Sequence, residues 1–369
     1  MSNKTYAIIG VGAAVFRHHE KALAALQIRP IAVSDINTLV GRRRAEMLGC
    51  TFYADPLQLL KEMHPDVVVI LTPHPLHATL ALESLQAGSH VLVEKPMAVQ
   101  IAEADAMVEM AQRQRRLLGV VFQHRFHPEI RAASQLIREG HIGDIQHVEV
   151  TAVWPRTADY YRLSPWRGTW AGEGGGVLMN QAPHHLDLLC YLVGQPGRVF
   201  SWTRRLRHAI EAEDTVQASL EWPGGALGSL HISTAELDMT DTIKIVGTKG
   251  MLEIHQCGAA VNLYTFNRDA RAFAEQSQQT AVQVTTHTVP LKLDSGGGTH
   301  IEVYRDFHQA LLNGTPLQSS GRDGRLSLEL ANALIYSSFT HKEVELPLDR
   351  QQYEALLARL RRDTVLSLR

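Results

Sequence analysis

Five apolar runs punctuate the first third of the chain: YAIIGVG (6–12), IAVSD (31–35), VVVILT (67–72), HVLVEK (90–95) and LLGVVF (117–122). They are rich in Val, Ile and Leu and almost unbroken, the pattern of strands buried on both faces. Helix-like segments lie between them, clearest at HHEKALAAL (18–26), HATLALESLQAG (77–88) and IAEADAMVEMAQRQRR (101–116), with Gly88 where a helix C-cap belongs. Strands alternating with helices at this spacing predict a doubly wound parallel sheet. After about residue 124 the rhythm changes. Apolar and polar positions alternate in 145–154, 216–222, 225–234, 241–255 and 261–266, with turn signals PGG (223–225) and TKG (248–250) between them. This pattern predicts an antiparallel meander with one face packed. The stretch 280–300 reads as edge strand and loop, and helices are expected near 301–313 and 323–339. The reading is therefore α/β in two domains, 1–123 and 124–369.

Composition narrows the class. A chain of 369 residues suits two cores rather than one. Its formal net charge of −2 offers no field for a nucleic acid or other polyanion. Cys50, Cys190 and Cys257 lie far apart without CxxC spacing, which supports neither a disulfide framework nor a zinc site and fits a reducing compartment. The 19 histidines include no HxH or HExxH helix, so no metal is expected. No apolar run reaches the length of a membrane span, and MSNK leads straight into strand residues without a signal-peptide pattern. A soluble, cytoplasmic protein is the expectation.

The first turn carries GVGAAV, with Gly10 and Gly12 directly after strand residues and a helix-like run beyond. A backbone that approaches a pyrophosphate needs glycine there, and the next helix N-terminus supplies N–H donors. Val15 stands where the usual third glycine would be. The second run ends in Asp35, placed to accept from both ribose hydroxyls of NAD and to repel a 2′-phosphate, so NAD is expected over NADP. Arg42 to Arg44 fall on a helix and read as a solvated face. TPHPLH (72–77) follows the third run; Thr72 and His77 read equally as a stiff capped turn or as a wall of the nicotinamide pocket. In HVLVEKPMA (90–98), Pro96 ends a strand and leaves Glu94 and Lys95 at its carboxyl end, where open α/β sheets bind ligands.

A second dense cluster is WRGTWAGEGGGVLMNQAPHHLDLLCYLVG (166–194). Gly174 to Gly176 allow close approach of a chain or ligand. Asn180, His184 and Asp187 follow at spacings of four and three, which predicts one helical face. A histidine beside a reacting hydroxyl is a suitable general base, and Asp187 would orient its ring or cap the helix. His185 reads as structural. Arg125, Arg156, Tyr160, Tyr161, Trp166, Arg167 and Trp170 are candidate substrate contacts, since aromatic faces suit sugars and arginines suit carboxylates or phosphates. The bland reading is interface packing for the tryptophans and solvation for the arginines. His300 is a candidate for closing the pocket.

From the GxG turn through TPHPLH, AGSHVLVEKPMA, GGGVLMNQAPHHLD and the late YRDFHQALLNGTP, the chain resembles the Gfo/Idh/MocA oxidoreductases. The resemblance implies an N-terminal Rossmann domain and a C-terminal α/β domain with a large, mostly antiparallel sheet, assembled as homodimer or homotetramer. It also implies an NAD-dependent dehydrogenase acting on a carbohydrate or polyol, with Gly10, Gly12, Asp35, Thr72, His77, Glu94 and Lys95 on the cofactor side. Lys95 would polarise the reacting oxygen and His184 would move its proton. Arg125, Arg156, Tyr160, Trp166, Arg167, Asn180 and His184 would face the substrate. Dehydrogenases such as inositol dehydrogenase carry aspartate where this chain has Asn180, a departure that weighs against a simple polyol enzyme. Two other readings stay open: an enzyme that retains NAD through transient internal redox, and a cofactor-sensing regulator without turnover.

Overall fold

The computed structural model describes residues 4–276, 285–289 and 296–363. Two compact units emerge, one from residues 1–123, 171–174 and 299–328, the other from 124–170, 175–298 and 329–369. The break after Gln123 falls where the pattern changes. Residues 171–174 and 299–328, read above as part of the second domain, cluster with the first unit: the His300–Asn313 helix packs on the Phe16–Ala25 helix, and Glu173 O lies 3.4 Å from His74 Nδ1.

The first unit holds six strands, β1 (Tyr6–Ile9), β2 (Pro30–Ser34), β3 (Thr51–Tyr53), β4 (Val67–Ile70), β5 (His90–Val93) and β6 (Leu118–Val120), all parallel in the order β3-β2-β1-β4-β5-β6. Every residue of β1 and β4 is buried, as continuous apolar strands require in a sheet covered on both sides. Sequence order reverses between β1 and β4, so the crevice at the strands' carboxyl ends opens there. The helices end as their chemistry dictates. Asn37 caps Thr38–Leu48 through Val40 N–H, Pro56 opens Pro56–Met63, and Gly88 follows the His77–Gln86 helix at φ +91°.

The second unit holds nine strands: β7 (Ile145–Val153), β8 (Arg198–Arg204), β9 (Thr215–Glu221), β10 (Leu227–Ser233), β11 (Asp241–Gly247), β12 (Gly250–His255), β13 (Ala260–Phe266), β14 (Thr286–Val289) and β15 (Val344–Glu345). Their order is β14-β13-β12-β11-β7-β10-β9-β8-β15. This is not a pure meander: β7 and β10 run parallel at the centre, Val150 opposite Leu230, while every other pair is antiparallel. Val148, Val150, Val216, Ala218, Leu220, Leu230, Ile232, Ile243, Ile245, Leu252 and Ile254 line one buried face, whereas Gln217 and Ser219 point to water. The expected edge strand appears as β14; the rest of 280–284 and 290–295 lies outside the described residues. Among the described residues no helix is long and apolar enough to cross a membrane.

Candidate active site

In the first unit, β1 delivers the chain into the glycine turn. Gly10 has φ +92°, its N–H donates to Ser34 O (2.8 Å), and a Cβ there would lie 2.9 Å from the backbone N of Thr72. Gly12 N–H donates to Asp35 Oδ2 (2.6 Å), where a Cβ would sit 2.8 Å from that oxygen. Gly10 is thus required by conformation and by space, Gly12 by the close approach of the Asp35 carboxylate. Val15, in the third position, is ordinary helical backbone. Asp35 Oδ1 accepts from Asn37 N–H (2.8 Å), and an ionised carboxylate still has acceptor positions for ribose hydroxyls. Thr72 Oγ1 is buried beside this turn with no hydrogen-bond partner. A glycine cradle, an acidic strand end and an orphaned hydroxyl together fit the diphosphate and ribose of NAD.

His77 corrects its reading as a cofactor contact. It is fully buried, with Nδ1 2.8 Å from Pro96 O and Nε2 2.7 Å from Thr72 O. Both ring nitrogens face backbone carbonyls, so the ring ties the TPHPLH loop to the Lys95–Pro96 turn. Burial lowers its pKa, against the two carbonyls, which favour the charged ring. Glu94 likewise faces inward. Its Oε1 lies 2.9 Å from His19 Nε2 and 3.4 Å from His300 Nε2, and Oε2 accepts from the Lys95 N–H at 3.1 Å. Burial pushes the Glu94 carboxyl up, but donation from His19 and His300 outweighs it and holds it well below the usual carboxylate range. Burial lowers the His19 pKa, and in the neutral ring Nε2–H donates to Glu94 while Nδ1 accepts from Tyr304 O–H (2.9 Å). His300, read as a pocket-closing residue, therefore belongs to this bracing network beneath β5. Lys95 itself is half-buried at the carboxyl end of β5.

In the second unit, His184 stands in the first turn of the Pro183–Leu192 helix, half-exposed. The expected continuous face with Asn180 is broken. Asn180 ends a separate turn, Val177–Asn180, because Pro183 has no N–H with which to continue the earlier ladder. Asp187 does share the His184 helix, yet it forms a bidentate pair with Arg125, Oδ2–Nε 2.8 Å and Oδ1–Nη2 2.6 Å, both side chains 2% exposed. Arg125 also lies 4.8 Å over the Tyr191 ring. This corrects the reading of Arg125 as a substrate contact: it is a buried cation with Asp187 as its counter-ion. His124, unremarked in sequence, packs edge-on to His184 with ring centroids 4.5 Å apart, and its Nδ1 is 3.2 Å from His127 Nε2.

The remaining substrate candidates largely converge. The Tyr160 hydroxyl accepts from Asn180 Nδ2 and Gln181 Nε2, each at 3.1 Å, and the guanidiniums of Arg156 and Arg167 lie over its ring. Arg167 is also 5.3 Å over Trp166. Tyr161 instead bonds Thr234, and Trp170 is 2% exposed against Phe339, a core residue. His185 is structural as expected: Nε2 is 2.7 Å from Asp241 Oδ1. Cys257 Sγ lies 3.2 and 3.4 Å from the two His185 ring nitrogens, a near-equality that puts the sulfur over the ring face rather than on a lone pair. Burial raises the Cys257 thiol well above its ordinary pKa, which disfavours the thiolate.

Sequence reasoning missed Glu213. Its Oε1 accepts from Gly176 N–H (2.9 Å) and Leu178 N–H (3.0 Å), anchoring the triple-glycine turn that leads to His184, and a Cβ on Gly176 would lie 1.9 Å from Glu213 O. Full burial pushes this carboxyl up to about 7. The acid lies 37 residues beyond Gly176, and no local spacing links them.

Two family models match the chain. Residues 4–122 match the oxidoreductase family with an NAD-binding Rossmann fold, and residues 130–253 match the GFO/IDH/MocA C-terminal domain. The trans-1,2-dihydrobenzene-1,2-diol dehydrogenase of Mus musculus is 31% identical over 248 residues, 64% of this chain and 69% of that one. The myo-inositol 2-dehydrogenase of Thermotoga maritima is 24% identical over 358 residues, 92% and 97% of the two chains. Among solved structures, the WlbA dehydrogenase of Bordetella pertussis, in complex with NADH and UDP-GlcNAcA, superposes with a TM-score of 0.81 at 28% identity, covering 94% of this chain and 99% of that one.

Proposed function

Since the chain belongs to the Gfo/Idh/MocA family of NAD-binding oxidoreductases, we propose that it oxidises a secondary hydroxyl of a sugar, polyol or sugar derivative, with Lys95 holding the reacting oxygen and His184 exchanging its proton. The observation that carries this reading is the support beneath Lys95. His77 fixes the following Pro96 carbonyl, and the ionised Glu94, braced by His19 and His300, accepts the Lys95 N–H. A merely solvated turn has no need of two buried clamps.

NAD, when bound, supplies the hydride acceptor. Lys95 presents an ammonium whose charge favours the alkoxide character that develops on the substrate oxygen. His184 accepts the hydroxyl proton as the C–H bond gives up hydride and the carbonyl forms, and a half-exposed ring passes that proton on to water. Asp35 selects the unphosphorylated ribose by charge. Relatives named for a dihydrobenzenediol and for myo-inositol support a hydroxyl group as the site of oxidation. The same family membership supports a homodimer or homotetramer, and three free cysteines support a reducing, cytoplasmic setting.

The test is NADH absorbance from purified protein given NAD or NADP with inositols, free sugars, uronates and nucleotide sugars. NADH formation with NAD and at least one of these substrates is expected. Silence across the panel, with NAD retained by the protein, would replace this reading with internal redox.

A further inference from the structure

The Arg156 and Arg167 guanidiniums lie over one ring, their Cζ atoms 5.0 and 4.1 Å from the Tyr160 centroid. Among the described residues their side-chain hydrogen bonds go only to carbonyls: Arg156 Nη1 to Pro155 O (3.2 Å) and Arg167 Nη1 to Tyr160 O (3.1 Å). The Nε of each is buried without a partner. Among the described residues neither arginine forms an ion pair, and nearby Asp214 is already taken by His208 and by the N–H groups of Leu206, Arg207 and His208. A guanidinium cannot shed its proton, so two uncompensated positive charges and two unmet donors are held at one place. Arg125 shows the contrasting case in the same unit, where a structural arginine is neutralised by Asp187.

This place adjoins the catalytic segment. The Tyr160 hydroxyl takes amide N–H from Asn180 and Gln181, immediately before the helix that carries His184. We propose that Arg156 and Arg167 form an anion subsite, and that the substrate is therefore an acidic sugar bearing a carboxylate or phosphoryl group, seated against Tyr160. An oxyanion supplies the acceptors both Nε–H groups lack, and the planar guanidinium fork matches its paired oxygens. The amide at Asn180 agrees with this, since it adds no negative charge beside an anionic ligand. The inference rests on the dehydrogenase reading above and sharpens its substrate class.

The experiment compares glucose with glucuronate, glucose 6-phosphate and UDP-glucuronate, by NADH formation and, separately, by calorimetric binding to the full-length protein in the presence of NADH. Wild type should prefer at least one anionic ligand by roughly 10- to 100-fold, as charge-assisted hydrogen bonds predict. Arg156→Gln and Arg167→Gln should collapse that preference, Arg167→Lys should restore part of it, and added salt should weaken it. A carboxylate source shows as glucuronate binding, a phosphoryl source as glucose 6-phosphate binding, and a nucleotide source as binding of UDP-glucuronate alone. Equal binding of neutral and anionic sugars, or anion binding unchanged in both glutamine variants, would overturn the subsite while leaving the dehydrogenase intact. Arginine-dependent anion binding without NADH formation would uphold the subsite and defeat the dehydrogenase reading.

Discussion

Replacing Glu213 with glutamine isolates a strongly perturbed buried carboxyl beside the turn that leads into the Pro183–Leu192 helix. Glu213 is wholly buried, its Oε2 has no hydrogen-bond partner, and burial holds its pKa at about 7. In the unfolded chain the same acid titrates near its ordinary 4.5. A folded-state value above the unfolded one means that the native protein holds its proton more tightly. The stability this contributes is complete below pH 4.5 and is lost as pH rises through 7. The difference corresponds to about 3 kcal/mol across that window. Glutamine keeps an oxygen for the Gly176 and Leu178 N–H groups and cannot ionise. Urea unfolding of both proteins at pH 5 and pH 8 should therefore show Glu213→Gln gaining about 2–3 kcal/mol on the wild type between the two conditions. All other titrating groups are common to both proteins and cancel. A pH dependence identical in the two would refute the assignment of a buried, protonated Glu213.

Two further outcomes follow from the geometry. Asp35→Ala should relax discrimination against NADP, because the carboxylate at the end of β2 is the charge that a 2′-phosphate would meet; an unchanged NAD-to-NADP ratio of kcat/KM would remove Asp35 from the cofactor site. Arg125→Met should cost about 3–5 kcal/mol of stability by stranding Asp187 in the interior, and the double variant with Asp187→Leu should recover most of it. Chemical unfolding of the two variants and the wild type gives the comparison, and an undiminished stability in Arg125→Met would mean that Asp187 finds other partners.

The parallel sheet was legible because β1, β2, β4, β5 and β6 are continuous apolar runs, and burial on both faces leaves no other pattern. β3 escaped because three residues at a sheet edge, Thr51 exposed and Phe52 and Tyr53 half-buried, carry neither periodicity nor a hydrophobic run. The parallel pairing of β7 with β10 is a long-range choice of register that alternation alone does not encode. The glycine turn and the strand end at Lys95 were readable since each uses local backbone chemistry. Arg125 and Asp187 lie 62 residues apart, so their mutual neutralisation is invisible in sequence, and an arginine beside the active segment reads as a substrate contact. Pro183 did carry a local warning. It interrupts the ladder between Asn180 and His184, and residue spacing alone overlooked it.

The central claim is that Lys95 acts on the substrate oxygen rather than on the cofactor. Its most direct test is Lys95→Ala, with NADH binding measured by fluorescence and hydride transfer by single-turnover absorbance on a substrate found active with the wild type. Transfer slowed by about 10²–10³-fold with NADH affinity nearly unchanged is the predicted result. Transfer at the wild-type rate, or a loss explained wholly by weaker NADH binding, would contradict it.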